Sequence, residues 1–286
     1  MDNLKAKKRH PEEIAVYSAI YVCAAFSVLL LLGIIVYVFA KGARRVNWAF
    51  LTGVTSILHG TVGIAGNILN TLIIILLTMI ITTPIGVGAA IYLNEYAKPG
   101  KLVTVIIFAT ETLAGIPSII FGLFGMLFFG QLCHMGYSLL TGSLTLTLMV
   151  LPLVTRNTQE ALKTVPDSFR IGAVGLGAGK WYTIRTILLP SAMPGIVTGV
   201  ILAIGRIIGE SAALLFTAGS AHLLPKTFDA FLEKIFHSGG TLTIQLYLSA
   251  SKGEFEVAFG IAVVLLVIVL LINFGTKRLA KKLEKH

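Results

Sequence analysis

The sequence predicts an all-α integral membrane protein that crosses the bilayer six times, and three observations lead there. Of its 286 residues, 56% are hydrophobic and 13% charged, with a mean hydropathy of +0.88, whereas soluble domains carry about 25% charged residues. The apolar residues gather in uncharged runs close to the roughly 20 residues a helix needs to cross a hydrocarbon core of about 30 Å. The 23 Lys and Arg fall in short segments between those runs, not in the exposed basic stripe of a nucleic-acid binder. The net charge of +10 therefore points to anionic membrane lipid as a partner and away from nucleic acid.

The six runs lie at residues 14–40, 67–94, 103–130, 137–154, 192–218 and 257–273. The first exceeds the roughly 7–15-residue core of a secretory signal and ends in no small-residue cleavage pattern, so it is expected to stay in the mature chain. Residues 1–13 form a tail, residues 14–276 one membrane domain without repeats or low-complexity linkers, and residues 277–286 a basic tail. Counted over alternating loops, the two tails with residues 94–101 and 156–185 hold 16 Lys and Arg. The opposite set, residues 41–66, 131–136 and 219–256, holds 6, and Arg206 lies inside the fifth run. The positive-inside rule puts both termini and residues 156–185 in the cytoplasm. In the outer loop 219–256, Phe231, Leu232, Ile235 and Phe236 share a helical face with Glu233 and Lys234 off it, which predicts a short surface-lying helix over 229–236. Cys23 and Cys133 stand in apolar runs, and His10, His59, His134, His222, His237 and His286 share no face. Neither a disulfide, a metal site nor a hydrolytic constellation is expected, and the chain reads as a non-enzyme.

Residues 156–190 are too polar to insert yet rich in helix signals. Pro166 ends a first helical piece, and Asp167 is a good N-cap for a helix over 168–174. Gly175, Gly177 and Gly179 permit a sharp turn, after which a helix restarts over 180–189 until Pro190 interrupts it at the membrane. The run from Gly175 to Lys180 imitates a phosphate-binding loop, but Val174 and Trp181 stand where that loop needs Gly and Ser or Thr. No cofactor is expected on this chain.

Arg206 and Glu210 interrupt the fifth run four residues apart, on one face of a continuous helix. A charge at the centre of a lipid-facing helix costs about 2.5–3.5 kcal/mol. With the helix started near Ser191, Arg206 lies roughly 23 Å along it, beyond easy snorkelling. The two residues fit either a structural ion pair or a water-accessible path in which the guanidinium meets an oxyanion while Glu210 orients it and tempers its charge. Gly195 and Gly199, and likewise Gly205, Gly209 and Ala213, provide small faces for an internal helix contact or a subunit interface. Glu111, beside Thr110 and Thr112 near the cytoplasmic end of the third run, is a weaker candidate for a structural or gating role.

Gly172-Ala173, Gly177 and Ile187-Leu188-Leu189-Pro190 resemble the EAA loop (E-A-A-x3-G-x9-I-x-L-P) of the inner-membrane permeases of ABC importers, with Ile171 in place of the leading Glu. The run from Thr83 to Ala97, TPIGVGAAIYLNEYA, the run from Leu113 to Gly125, LAGIPSIIFGLFG, and the run from Ala203 to Ala213, AIGRIIGESAA, are similar to signatures of the phosphate permeases of the PstA group. The resemblance covers about residues 63–273. It implies a six-helix permease of the type I ABC importer kind in a prokaryotic plasma membrane, carrying inorganic phosphate inward. A homologous PstC-like permease chain, a PstB-like ATPase dimer that binds ATP and Mg, and an extracytoplasmic PstS-like phosphate-binding protein would be its partners. The ATPase would dock on Ile171, Gly172, Ala173, Gly177, Ile187, Leu189 and Pro190, and Arg206, Glu210 and more weakly Glu111 would serve the path. A permease for sulfate or molybdate, an ion-gradient-driven transporter, which should show paired interrupted helices, and a non-transporting scaffold are the alternatives.

Overall fold

A computed structural model describes residues 11–56, 61–225 and 227–283. The expectations for residues 1–10, His59 and the last three residues of the basic tail lie outside these. In chain order the helices and strands are α1 (Pro11–Gly42), α2 (Trp48–Thr52), β1 (Val54–Ser56), β2 (Thr61–Ile64), α3 (Ala65–Ile91), α4 (Lys101–Gly115), α5 (Ser118–Gly125), α6 (Leu139–Lys163), α7 (Asp167–Gly175), α8 (Lys180–Thr183), α9 (Leu189–Gly209), α10 (Ala212–Thr217), α11 (Phe228–Glu233), α12 (Leu242–Ser251) and α13 (Phe255–Leu283). Among the described residues five helical stretches are long and apolar enough to span a membrane, and α4 with α5 makes a sixth if the bent pair is one span.

That bend corrects the third run, which was expected to be one helix. α4 and α5 meet at 103° because Pro117 removes a backbone donor and bars the α region to Ile116, whose ψ is 132°. The fifth run is also divided. α9 stops at Gly209, Glu210 takes an extended ψ of 122°, and the Glu210 carboxylate accepts the Ala213 N–H at 3.0 Å, opening α10. Arg206 and Glu210 therefore do not share a helix. Pro190 does the reverse of what was expected. The helix runs unbroken over Lys180–Gly209, with a π-helical stretch at Ile184–Leu188 just before the proline.

The core centres on α6, where Leu146 and Val150 are fully buried. Its serines and threonines return their hydroxyls to the preceding turn, as in Ser143 to Leu139 O at 2.8 Å and Thr145 to Thr141 O at 2.8 Å. This leaves a small, satisfied surface that neighbours approach closely: a Cβ added at Gly125 would lie 2.0 Å from Thr145 Oγ1. α1 lies at the periphery, with none of its apolar window buried. It leans on α13 where Gly42 faces the Phe259 carbonyl, 2.2 Å from an added Cβ.

Residues 217–251 hold more structure than expected. α12 inserts Leu242 and Ile244 into the core, with Thr241 capping its first turn through the Ile244 N–H. The predicted amphipathic helix exists as α11 plus a 3-10 turn, but its faces differ from the expectation. Lys234 is 6% exposed while Leu232 and Phe236 point outward, because the Lys234 ammonium donates to the Leu223 carbonyl.

Candidate translocation and coupling site

The polar stretch folds as an elbow attached to the C-terminal ends of α3 and α6. Pro166 precedes α7, and Asp167 is the first helical residue, without a side-chain cap bond. Its carboxylate instead accepts from Arg170 Nη1 at 2.9 Å. Arg170 is the hub of the elbow. Its Nη2 donates to Glu95 Oε1 at 2.9 Å and to the Leu162 carbonyl at 3.1 Å, and its Nη1 reaches the Val165 carbonyl at 3.0 Å. One guanidinium fork thus joins α7, the last turn of α6 and the turn after α3. The hydrogen bond to Glu95 raises the Arg170 pKa against the opposing effect of burial. A second tie places the Lys180 ammonium 4.6 Å from the centre of the Tyr96 ring.

At the tip, Gly177 alone of the three turn glycines takes a left-handed φ, +79°. Ile171 is 72% and Leu176 90% exposed, with Phe169, Val174, Trp181 and Tyr182 also exposed around them. Gly172 is exposed and Ala173 buried. At the far end of the motif Ile187 and Leu189 are half-buried and Pro190 is exposed, while Leu188 and Ile184 pack with Ala161, Leu162 and Ile196. Arg170, Lys180 and Glu95, which tie the elbow down, are not among the site residues the sequence predicts, although Glu95-Tyr96 lies in the run from Thr83 to Ala97.

Glu111 lies at the same end. It lines a cavity of about 170 Å³ between α4 and α6 with Leu93, Ile107, Thr110, Arg156, Gln159, Glu160 and Lys163, where Arg156 pairs with Glu160 at 3.3 Å.

Arg206 is exposed on α9 and has no carboxylate within 4 Å among the described residues. Leu202 on the same face is exposed, and a Cβ added at Gly205 or Gly209 would meet nothing within 4 Å. The small-residue faces of α9 thus divide: Gly195 and Gly199 pack on Ala161 and Asn157 of α6, while the Arg206 face is open. Glu210 is half-buried, its carboxylate capping α10 and its carbonyl accepting from Thr243 Oγ1 at 2.9 Å.

At the opposite end, Asn67 and Asn70 at the start of α3 donate to the Gly240 carbonyl at 2.9 and 3.0 Å, fastening the loop that follows α10. His222 Nδ1 is buried there without a hydrogen-bond partner among the described residues. Burial lowers the His222 pKa below 6.5, helped by Lys252 and Lys234, and burial likewise lowers that of Lys234. For an imidazole depressed on folding, the unfolded segment binds the extra proton. The stability is full above 6.5 and is lost as pH falls through the depressed folded value. The protection of the backbone amides between Gly219 and Thr241, corrected for their intrinsic exchange rates, is expected to fall between about pH 7.5 and about pH 5.5, and His222→Gln to flatten the change. A wild-type loop with the same protection at both values would refute this.

Residues 82–286 match the family described as binding-protein-dependent transport system inner membrane component. The chain belongs to this family. A probable ABC transporter permease, YqgI of Bacillus subtilis strain 168, is 35% identical over 273 residues, 92% of this chain and 93% of that one. The phosphate transport system permease protein PstA of Xylella fastidiosa strain Temecula1 is 34% identical over 84% of this chain and 82% of its own. Among solved structures, a bacterial alginate ABC transporter crystallised with its alginate-bound periplasmic protein superimposes with a TM-score of 0.71 over 96% of both chains at 14% identity, which shows a shared fold. The permease is a multi-pass membrane component of a binding-protein-dependent transport system.

Proposed function

We propose that this permease is the PstA-type subunit of an ATP-driven importer of inorganic phosphate, with its termini and elbow in the cytoplasm. The observation that carries the reading is Arg206: a guanidinium without an anionic partner among the described residues, on the open face of a membrane helix. Such a group is unfavourable against lipid and suits a path that an oxyanion crosses by weak, successive binding. The PstA relative makes phosphate the favoured oxyanion. A PstC-like chain would cover the open face of α9, and a PstS-like protein would deliver phosphate at the end bearing α11 and α12. A PstB-like ATPase dimer, holding ATP and Mg, would seat on the exposed apolar tip around Ile171 and Leu176.

The test is labelled phosphate uptake, with sulfate in parallel, in cells lacking the gene and complemented by the wild-type chain. ATP-dependent recovery of phosphate uptake alone is expected. A guanidinium does not by itself distinguish tetrahedral oxyanions, so recovery of sulfate uptake instead would move the substrate. Recovery of neither with all partners present would overturn the transport reading.

A further inference from the structure

The end of α1 opposite the elbow gathers charge that the transport reading does not use. Lys41, Arg44 and Arg45 supply three of the six Lys and Arg on the cation-poor set of loops, the set where the positive-inside rule disfavours them. All three line a cavity of about 1110 Å³ between α1 and α13. None has a carboxylate within 4 Å among the described residues, although Glu256 lies on the same wall. Arg45 is held in place: its side chain packs on Gly260, where a Cβ would approach Arg45 Cγ to 3.1 Å, and its guanidinium sits 5.8 Å from the Phe50 ring centre. Its Nε is buried without a hydrogen-bond partner among the described residues. Tyr37 and Phe259, edge to face at 5.7 Å, form the apolar wall at the side of the cavity nearer the membrane interior, and α1 continues beyond them as an exposed apolar rod.

We propose that this cavity binds the phosphate group of an anionic phospholipid, of the phosphatidylglycerol class, in the leaflet at that end. A phosphodiester provides the anionic oxygens that a fixed guanidinium and two exposed cations lack. The aromatic wall and the bare side of α1 accept the acyl chains, which a freely soluble anion does not possess. Free inorganic phosphate shares the headgroup chemistry, and the experiment separates the two sources.

The permease is purified with its partner subunits and titrated in detergent, by native mass spectrometry, with dioleoyl phosphatidylglycerol or dioleoyl phosphatidylcholine. The comparison is between wild type and Lys41→Gln/Arg44→Gln, which leaves the packed Arg45 alone. The wild type is expected to prefer phosphatidylglycerol. At about 1 kcal/mol per surface cation the double variant is expected to lose roughly 25-fold in its affinity. Equal binding of the two lipids, or an unchanged preference in the variant, would overturn the site. Displacement of bound phosphatidylglycerol by millimolar inorganic phosphate would assign the cations to a soluble anion and overturn the lipid. If the double variant melts at a lower temperature, Lys41→Arg/Arg44→Lys decides: retained preference supports the site, and loss of it refutes the charge argument.

Discussion

Replacing Arg170 with Gln is expected to cut ATP-driven uptake at least about tenfold while the membrane helices stay folded. The side chain is 23% exposed and its partner Glu95 9%, so the pair is neither a free surface bridge nor fully buried. Hydrogen bonds to charged groups contribute about 1.5–3 kcal/mol each, and removing one member of a buried pair costs about 3–5 kcal/mol. Discounted for partial exposure, about 2–3 kcal/mol of elbow docking is at stake. The loss falls on the joint between α7, α6 and α3, through which, on the proposed reading, movement of an ATPase seated at the tip would reach the membrane domain. Glu95→Gln in the same chain is expected to restore part of the function, because the double variant leaves no buried carboxylate orphaned, Asp167 being exposed to water. A coupling energy of about 1–2 kcal/mol between the two sites is expected. Arg170→Lys keeps the charge but not the fork and should fall between. Uptake and permease-stimulated ATP hydrolysis are measured at equal membrane levels, and additive effects of the two single changes would show that the joint does not act as one unit.

The second large effect is at Arg206. Arg206→Gln is expected to lower phosphate uptake by roughly 10- to 100-fold, the worth of one charge-assisted contact to the passing anion. The amount of assembled transporter should not change, because the guanidinium has no ion-pair partner among the described residues. Full transport by this variant at wild-type levels would remove Arg206 from the path. Glu210 offers the contrast. If its carboxylate tempers Arg206, Glu210→Gln should alter substrate affinity. As the structure has it, the amide oxygen can still accept the Ala213 N–H, so Glu210→Gln is expected to be mild and Glu210→Ala to cost about 1 kcal/mol through the lost cap.

Prolines illustrate where pattern reading stops. Pro84, Pro152 and Pro194 lie inside continuous helices, whereas Pro117 ends one with a sharp bend. The residue type is the same, and the difference lies in whether surrounding backbone and side chains re-satisfy the freed groups. Lys234 makes the same point in a loop. Its charge assigned it to the wet face of a short helix, yet a carbonyl presented by Leu223, eleven residues earlier, draws it inward.

What the sequence determined by itself is the set of apolar runs, the two classes of loop that separate them, the elbow with its glycine turn, and Arg206 as a charge in a membrane helix. These follow from hydropathy, spacing and charge bias, which are local quantities set by a bilayer of fixed thickness. Only the tertiary structure decided that Arg170 clasps Glu95, 75 positions away, that Glu210 caps a new helix, and which face of α9 is open. Those outcomes depend on which distant groups the packed helices bring within about 3 Å, where hydrogen bonds form, and no one-dimensional period encodes that.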